Sequence, residues 1–415
     1  MPNAPILADL PVRSVSHIPW MDIPGVRAVV WALGREHVRF VGGCVRDFLL
    51  GRPNLDVDMA TPLTPDETMR RLQAAQVRVK PIGIEHGTVV ALTSTGQFEI
   101  TTLRRDVETD GRRAKVAFTT DWVDDALRRD FTINALSVDP DGKLYDPCGG
   151  LPDLEAGRVR FIGDPDDRIR EDVLRLLRFF RFSAWYGQGP LHAESLAAAA
   201  RAADRLDRLS GERLSAELHR LLAAPDPLPA VQAMAQHNIL HTLTPLSIRP
   251  KALATFVALE GAYGLPACPV GRLAAMLPGP AEAYTPFAER LRFSRKEQRR
   301  LEALARPLPA LGEDEGEVRR RLYATGDREI YRLRALLAAA EGDGGDLGLR
   351  LRLARDWAWP KFPVGGLDLI ELGVKPGPHI GEILHVVEDW WVRHDFAPDR
   401  EACLAAIQKS LNQGA

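Results

Sequence analysis

The sequence is poor in cysteine, has no long apolar run and carries almost no net charge, and each deficit removes a class of protein. Four cysteines occur in 415 residues, Cys44, Cys148, Cys268 and Cys403. They lie far apart with no Cys-x-x-Cys pair, which argues against a disulfide framework or a structural zinc site and fits a reducing cytoplasm. No segment approaches the ~20 apolar residues that cross a bilayer. The opening MPNAPILADLPVRSVSHIPW sets Asp9 and several prolines where a secretory signal needs an apolar centre. Formal net charge is -2, so any nucleic-acid surface has to be a local patch. No repeat of fixed period is present, which excludes a solenoid. The expectation is a soluble cytoplasmic protein, without membrane or zinc, that folds as two to four packed units.

What is present changes character along the chain. RFVGG (39–43) reads as a strand running into a Gly-Gly turn, CVRDFLLG as a short helix, and LDVDMA as a second strand. PDETMRRLQAAQ is helical, GTVVALT and QFEITTL are strands, and LSVDPDGKLYD is a hairpin around Asp141-Gly142. Strands interleaved with a few helices predict an α+β head over 1–150. From about Asp164, segments such as REDVLRLLRFFRFSAWYG and ERLSAELHRLLAA carry apolar residues at helical spacing with Arg and Glu between them. Residues 151–225 and 226–415 therefore read as all-helical modules.

The head holds the chemistry-bearing residues. Asp56 and Asp58 are two apart in a predicted strand, so their carboxylates share one face while Leu55 and Val57 take the other. Adjacent carboxylates repel unless a cation neutralises them, and Mg²⁺ prefers carboxylate and phosphate oxygens. Upstream, Gly42-Gly43 opens a helix where bare backbone N–H groups can approach a triphosphate, with Arg46 in the first turn to add positive charge. Glu99, mid-strand between Phe98 and Ile100, is the candidate third carboxylate.

GGCVRDFLLGRPNLDVDMAT (42–61) resembles the signature of the class II CCA-adding enzyme and bacterial poly(A) polymerase family. LRRDFTINAL (127–136) is similar to that family's ribose-selecting motif, and DPDDRIREDVLRLLRFFRF (164–182) to its base-selecting helix. GLDLIELGVKPGPHIGEIL (366–384) matches a common tail segment more weakly. The resemblance implies a polymerase-β-like nucleotidyltransferase head followed by a helical neck, body and tail. It implies Mg²⁺ on Asp56 and Asp58, CTP and ATP as nucleotides, and the 3′ end of tRNA as acceptor. Arg129 and Asp130 would meet the ribose, with Asn134 facing Asp130 if the segment is helical. Asp172 and Arg175 would act as a protein template, held by Glu171, because cytosine and adenine both pair an exocyclic amino donor with a ring-nitrogen acceptor. Arg178, one turn on, would reach base or phosphate.

Two other segments bear on function. RRDVETDGRRAKVAF (104–118) is polar with Gly111 at its centre and reads as a mobile loop; the resemblance casts it as the element that switches cytidine for adenosine addition. RLRFSRKEQRRL (290–301) places Arg290, Arg292, Arg295, Lys296, Arg299 and Arg300 on a basic helical face suited to tRNA phosphates. RLAAMLPGP (272–280), with Pro278 and Gly279, stands where some relatives carry a His-Asp hydrolase pair, and His394-Asp395 has no supporting ligands nearby in sequence. No second hydrolase activity is therefore expected. The leading reading is CCA addition to tRNA. The alternatives are a poly(A) polymerase, an enzyme adding only CC or only A, and an inactive RNA-binding relative. The chain ends in AAIQKSLNQGA without a long basic extension, which weighs against poly(A) polymerase.

Overall fold

A computed structural model describes residues 8–54, 56–110, 113–244, 246–277, 279–306, 308, 314–343 and 345–413. Leu55, Gly111 and Pro278, each given a part in the sequence reading, lie outside the described residues. The chain packs as two units, Met1–Ser247 with Phe287–Phe293, and Ile248–Pro286 with Ser294–Ala415. The sequence divisions at 150 and 225 both fall inside the first unit.

In the first unit, eight strands form one mixed sheet: β1 (Pro11–Ser14), β2 (Arg39–Val41), β3 (Asp58–Thr61), β4 (Arg78–Pro81), β5 (Thr88–Thr93), β6 (Gly96–Thr102), β9 (Ser137–Val138) and β10 (Lys143–Tyr145). Their order is β1-β10-β9-β2-β3-β6-β5-β4, antiparallel throughout except for β3 against β6. The mixed-sheet head expected from the sequence is thus present. Alternation decides what faces the cleft: along β6, Phe98 and Ile100 are buried while Glu99 between them is exposed. Arg39, on a central strand, is buried only because Asp9 accepts two of its hydrogen bonds and the rings of Trp122 and Tyr145 flank its guanidinium.

The head helices are α1 (Pro24–Leu33), α2 (Gly43–Leu49), α3 (Pro65–Ala74) and α4 (Trp122–Leu127). After them come α5 (Gly150–Glu155), α6 (Pro165–Glu171), α7 (Leu174–Tyr186), α8 (Ala193–Arg201), α9 (Gly211–Leu222) and α10 (Leu228–Gln236). Helix α7 buries Leu174, Leu176, Leu177, Phe179, Phe180 and Phe182 on its packed side. Phe182 meets Phe131 at 5.1 Å between ring centroids, and Phe131 meets Phe161 at 4.9 Å. This aromatic cluster, with a bridge between Phe131 and Phe161, fastens the helical neck to the head and turns Arg175, Arg178 and Arg181 toward the cleft.

The second unit is helical: α11 (Pro250–Ala262), α12 (Pro269–Met276), α13 (Ala281–Arg290, which runs into the first unit), α14 (Arg295–Ala305), α15 (Glu315–Thr325), α16 (Arg328–Ala340), α17 (Leu347–Asp356), α18 (Gly366–Glu371), α19 (His379–Arg393) and α20 (Arg400–Gln413). Its last three helices close over Leu369, Val387, Trp391, Cys403 and Ile407. No helix among the described residues is long and apolar enough to cross a membrane.

The structure corrects four local readings. The strand expected over LDVDMA starts only at Asp58, because Asn54 Oδ1 accepts the Asp56 N–H and bends the chain before pairing begins. The base-selecting helix is two helices. Asp172 breaks it in an extended conformation (φ −148°, ψ 108°) and its carboxylate then accepts the Leu174 N–H at the start of α7. Residues 104–110 and 113–118 form a ribbon rather than a loop: β7 (Arg104–Asp110) pairs antiparallel with β8 (Arg113–Phe118). RLRFSRKEQRRL is likewise not one helix. α13 ends at Arg290, Arg292 has a positive φ of 55°, and Ser294 caps a new start for α14.

Candidate active site

A cleft of about 860 Å³ opens on the first unit. Its walls include Gly42, Gly43, Arg46, Asp56, Asp58, Glu99, Arg129, Asp130, Asn134, Asp172, Arg175 and Arg178, which are Glu99 and eleven candidates from the three head and neck motifs. The six basic residues of 290–300 lie elsewhere.

The acidic corner follows from strand register. Asp58 and Glu99 are register partners on parallel neighbours β3 and β6, so their side chains leave the sheet on one face. Asp56 precedes the strand and completes the corner. Burial, then the charges of Asp56 and Glu99, push the Asp58 carboxyl up to about 6, against the opposing pull of Arg129. Such mutual crowding fits a divalent cation. Among the described residues no three ligating side chains converge as a ready-made metal cage. That is compatible with Mg²⁺, which takes one or two carboxylates and fills its shell with water and phosphate oxygens.

Gly42 has φ 70° and ψ −127°, a conformation suited to glycine, and a Cβ there would stand 3.2 Å from Arg129 Nη1. The turn is therefore bare by necessity, and backbone is what it presents to the cleft. Arg46 lines the same cleft. It is buried, and its guanidinium donates to both Asp47 oxygens, to Asn134 Oδ1 at 2.6 Å and to the Tyr186 hydroxyl at 2.7 Å. Its charge reaches the cleft, but its donors hold the protein together. Asn134 also lines the cleft and is tied into the same network: its Nδ2 donates to Asp130 Oδ1 at 2.9 Å while its Oδ1 accepts from Arg46.

Asp130 is buried. Desolvation alone would raise its carboxyl, but Arg178, the Asn134 amide and the Phe131 N–H outweigh it and hold the group below the ordinary carboxylate range. Arg178 is thus tied to Asp130, with Nε at 2.7 Å. Arg129 donates to Asp125 Oδ2 and to the Asn134 carbonyl. Asp125 itself is buried, and Arg129 and Arg128 overcome that burial to keep its carboxyl low.

Asp172 receives Arg213 Nη2 on both oxygens, at 3.1 and 2.8 Å. Arg175 pairs with Glu171 and donates to the Arg168 carbonyl at 3.1 Å. The Glu171–Arg175 tie that the resemblance implies is therefore present. Arg213 and Arg181, which also line the cleft, were not read from the sequence. Arg181 pairs with Glu217, a carboxylate 3% exposed. Glu217 shares one face of α9 with Leu214, Leu218 and Leu221, and a charge inside that apolar stripe was the available signal.

Of the predicted tRNA-contacting set, Arg290 donates to the carbonyls of Leu206, Asp207 and Leu209. Arg300 pairs with Glu329. Arg292, Arg295, Lys296 and Arg299 are exposed.

Comparison with known proteins agrees with this geometry. A family model described as "Poly A polymerase head domain" matches residues 38–160, and one described as "Probable RNA and SrmB- binding site of polymerase A" matches 190–247. The CCA tRNA nucleotidyltransferase 1, mitochondrial, of Danio rerio is 34% identical over 393 residues, covering 92% of this chain and 90% of the relative. The CCA-adding enzyme of Streptococcus gordonii is 32% identical over 376 residues, covering 89% and 92%. The crystal structure of the Bacillus stearothermophilus CCA-adding enzyme in complex with CTP superposes with a TM-score of 0.71 at 25% identity, covering 96% of this chain and 99% of that one.

Proposed function

Because the chain belongs to the family of CCA-adding tRNA nucleotidyltransferases, we propose that it adds CCA to the 3′ end of tRNA from CTP and ATP without a nucleic-acid template. The observation that carries this reading is the cleft in which the three motifs meet: the glycine turn and acidic pair of the first, Arg129 and Asp130 of the second, and Asp172 and Arg175 of the third. Asp56 and Asp58, beside Glu99, would hold the divalent cation such transferases use, which we assign as Mg²⁺ from the hard oxygen donors. When bound, it lowers the pKa of an attacking hydroxyl and neutralises phosphate charge.

The residues of the chain do the remaining work. The RNA 3′-hydroxyl attacks the α-phosphate of the bound nucleotide, and pyrophosphate leaves. The turn at Gly42 and Gly43 lets backbone approach the triphosphate, and the charges of Arg46 and Arg129 offset it. Asp130, flanked by Arg129 and Arg178, reads the ribose. Asp172 accepts from the exocyclic amino group of cytosine or adenine while Arg175 donates to the ring nitrogen; uracil and guanine present the reverse pattern and leave buried groups unpaired. Helices beyond residue 225 bind tRNA by shape, with Arg292, Arg295, Lys296 and Arg299 as candidate phosphate contacts. The unpaired cysteines favour a reducing cytoplasm, although the Danio rerio relative carries "mitochondrial" in its name.

The test is incubation of the protein and Mg²⁺ with a tRNA transcript lacking its last three nucleotides, supplied with CTP, ATP or both. CC from CTP alone and a single CCA from both is the expected result. Long adenosine tails on any RNA would move the assignment to a poly(A) polymerase, the reading that the head-domain description favours. Asp58→Ala is expected to abolish addition and leave tRNA binding nearly intact.

A further inference from the structure

We propose that Thr88, Thr101, Arg104 and Phe118 seat the terminal nucleotide of the RNA acceptor, with the Phe118 ring as the surface on which its base stacks. The proposal rests on the nucleotidyl-transfer reading of the cleft.

The cleft wall also includes Thr88, Thr101 and Arg104, which belong to none of the three motifs and to no step described above. Strand register places them. Thr101 stands two residues beyond Glu99 on β6, so both side chains leave the sheet on the cleft face. Thr88 of β5 is the register partner of Thr101, and their hydroxyls meet at 3.2 Å. One hydroxyl proton serves that bond, and the other is left for a further acceptor. Arg104 opens β7, and its Nη1 donates to the His86 carbonyl at 2.6 Å. Phe118 is the register partner of Arg104 across the ribbon, so its ring leaves the ribbon on the same face. That ring lies against Gly87, the residue before Thr88: a Cβ on Gly87, where φ is 83°, would stand 2.8 Å from it. Phe118 is nevertheless 43% exposed. A seated ring that stays open to solvent suits a nucleobase, because every base offers a π-face.

Sheet order says which reactant comes here. The glycine turn follows β2, the carboxylates stand at β3 and β6, and Thr88 lies on β5; these strands are neighbours in the order β2-β3-β6-β5. In-line displacement sets the entering and leaving oxygens on opposite sides of the phosphorus. With the triphosphate at the glycine turn, the entering 3′-hydroxyl comes from the β5 side. The nucleotide that carries this hydroxyl needs a cation for its phosphate, polar partners for its sugar and a surface for its base. Arg104, the threonine pair and Phe118 supply one each. The positive charge of Arg104 and the continuity of the patch with the cleft favour an RNA end over a protein segment as its occupant.

The experiment compares Phe118→Ala, Phe118→Leu, Phe118→Trp and Thr101→Val with the wild-type chain. The substrate is tRNA lacking its last three nucleotides, with Mg²⁺ and, for fluorescence, 2-aminopurine as its terminal base. Three quantities are read: kcat/KM for the RNA, KM for CTP, and the brightness of the 2-aminopurine at saturating protein. Phe118→Ala and Phe118→Leu are each expected to lower kcat/KM for the RNA about tenfold, as the loss of one base–aromatic stack does. Both should leave KM for CTP unchanged and brighten the bound 2-aminopurine, and Phe118→Trp should restore wild-type values. Thr101→Val keeps the shape and removes the hydroxyl, so it should lower kcat/KM for the RNA about fivefold with KM for CTP unchanged. A leucine as good as phenylalanine would mean that the ring only packs, and would overturn the proposal. A rise in KM for CTP that matches the loss on RNA, or wild-type brightness in Phe118→Ala, would overturn it equally. If the wild type extends no RNA at all, the transfer reading fails and the proposal falls with it. If the wild type is active and the variants match it, the proposal alone is refuted.

Discussion

Replacing Asp58 with asparagine is expected to stabilise the metal-free protein while abolishing its activity. The acidic corner sets the exposed Asp56 and Glu99 beside the half-buried Asp58, and the Asp58 carboxyl is lifted from its ordinary 3.8 to about 6. At about 1.4 kcal/mol per pH unit, the ionised form is disfavoured by up to ~3 kcal/mol. Asp58 is only half-buried, so solvent screening and relaxation of Asp56 and Glu99 reduce this to roughly 1–2 kcal/mol. For a unit of this size that corresponds to about 3–6 °C in Tm. The sign follows from linkage: a carboxyl whose folded value is raised favours the folded state below its unfolded value and loses that contribution as pH climbs through about 6. The advantage of Asp58→Asn should therefore be full near pH ~8 in EDTA and shrink toward pH ~5. Mg²⁺ should raise the Tm of the wild type more than that of the variant, because only the wild type has the repulsion to relieve. Differential scanning calorimetry across pH, with and without Mg²⁺, reads all of this. A variant no more stable than wild type at high pH, or one with the same advantage at both ends, would show that the carboxylates are not in conflict.

Other outcomes test separate parts of the structure. Glu260→Ala removes the carboxylate that Arg272 meets at 2.6 Å, with both side chains under 5% exposed, and should cost about 3–5 kcal/mol in urea unfolding. A cost under about 1 kcal/mol would mean water reaches the pair. Gly42→Ala forces a side chain into φ 70° and to 3.2 Å from Arg129; a loss of about 1–2 kcal/mol in stability is expected, with a larger fall in kcat/KM for nucleotide. Wild-type kinetics in that variant would remove the turn from the nucleotide site. Asp172→Asn keeps the shape of the side chain but weakens its tie to Arg213 and offers a donor in place of an acceptor. Incorporation of UTP or GTP relative to CTP should rise, and unchanged selectivity would take Asp172 out of base choice.

Which parts of this site are legible in the sequence depends on the range of the interaction involved. Strand alternation is local, so the outward face of Glu99 can be read from Phe98 and Ile100. The motifs are local too, and between them they supply eleven residues that line one cleft. What the sequence withholds is the partner each polar group takes. For Arg46 nothing nearby announces Tyr186, 140 positions away. Asp172 reads as mid-helix because RIREDVLRLL has continuous helical periodicity. The break arises only where its carboxylate meets Arg213, 41 positions on, and the Leu174 amide. The basic run at 290–300 has the composition of a single face, but a positive φ at Arg292 divides it. In each case the residue type is right for chemistry, and what local sequence does not show is the long-range contact or backbone turn that places it. Buried charge without a partner is costly enough that a nearly enclosed arginine or aspartate implies one. Glu217 carries that implication in its spacing alone. Set in the apolar stripe of α9, it has to be paired, and its partner, Arg181, stands in the wall of the cleft.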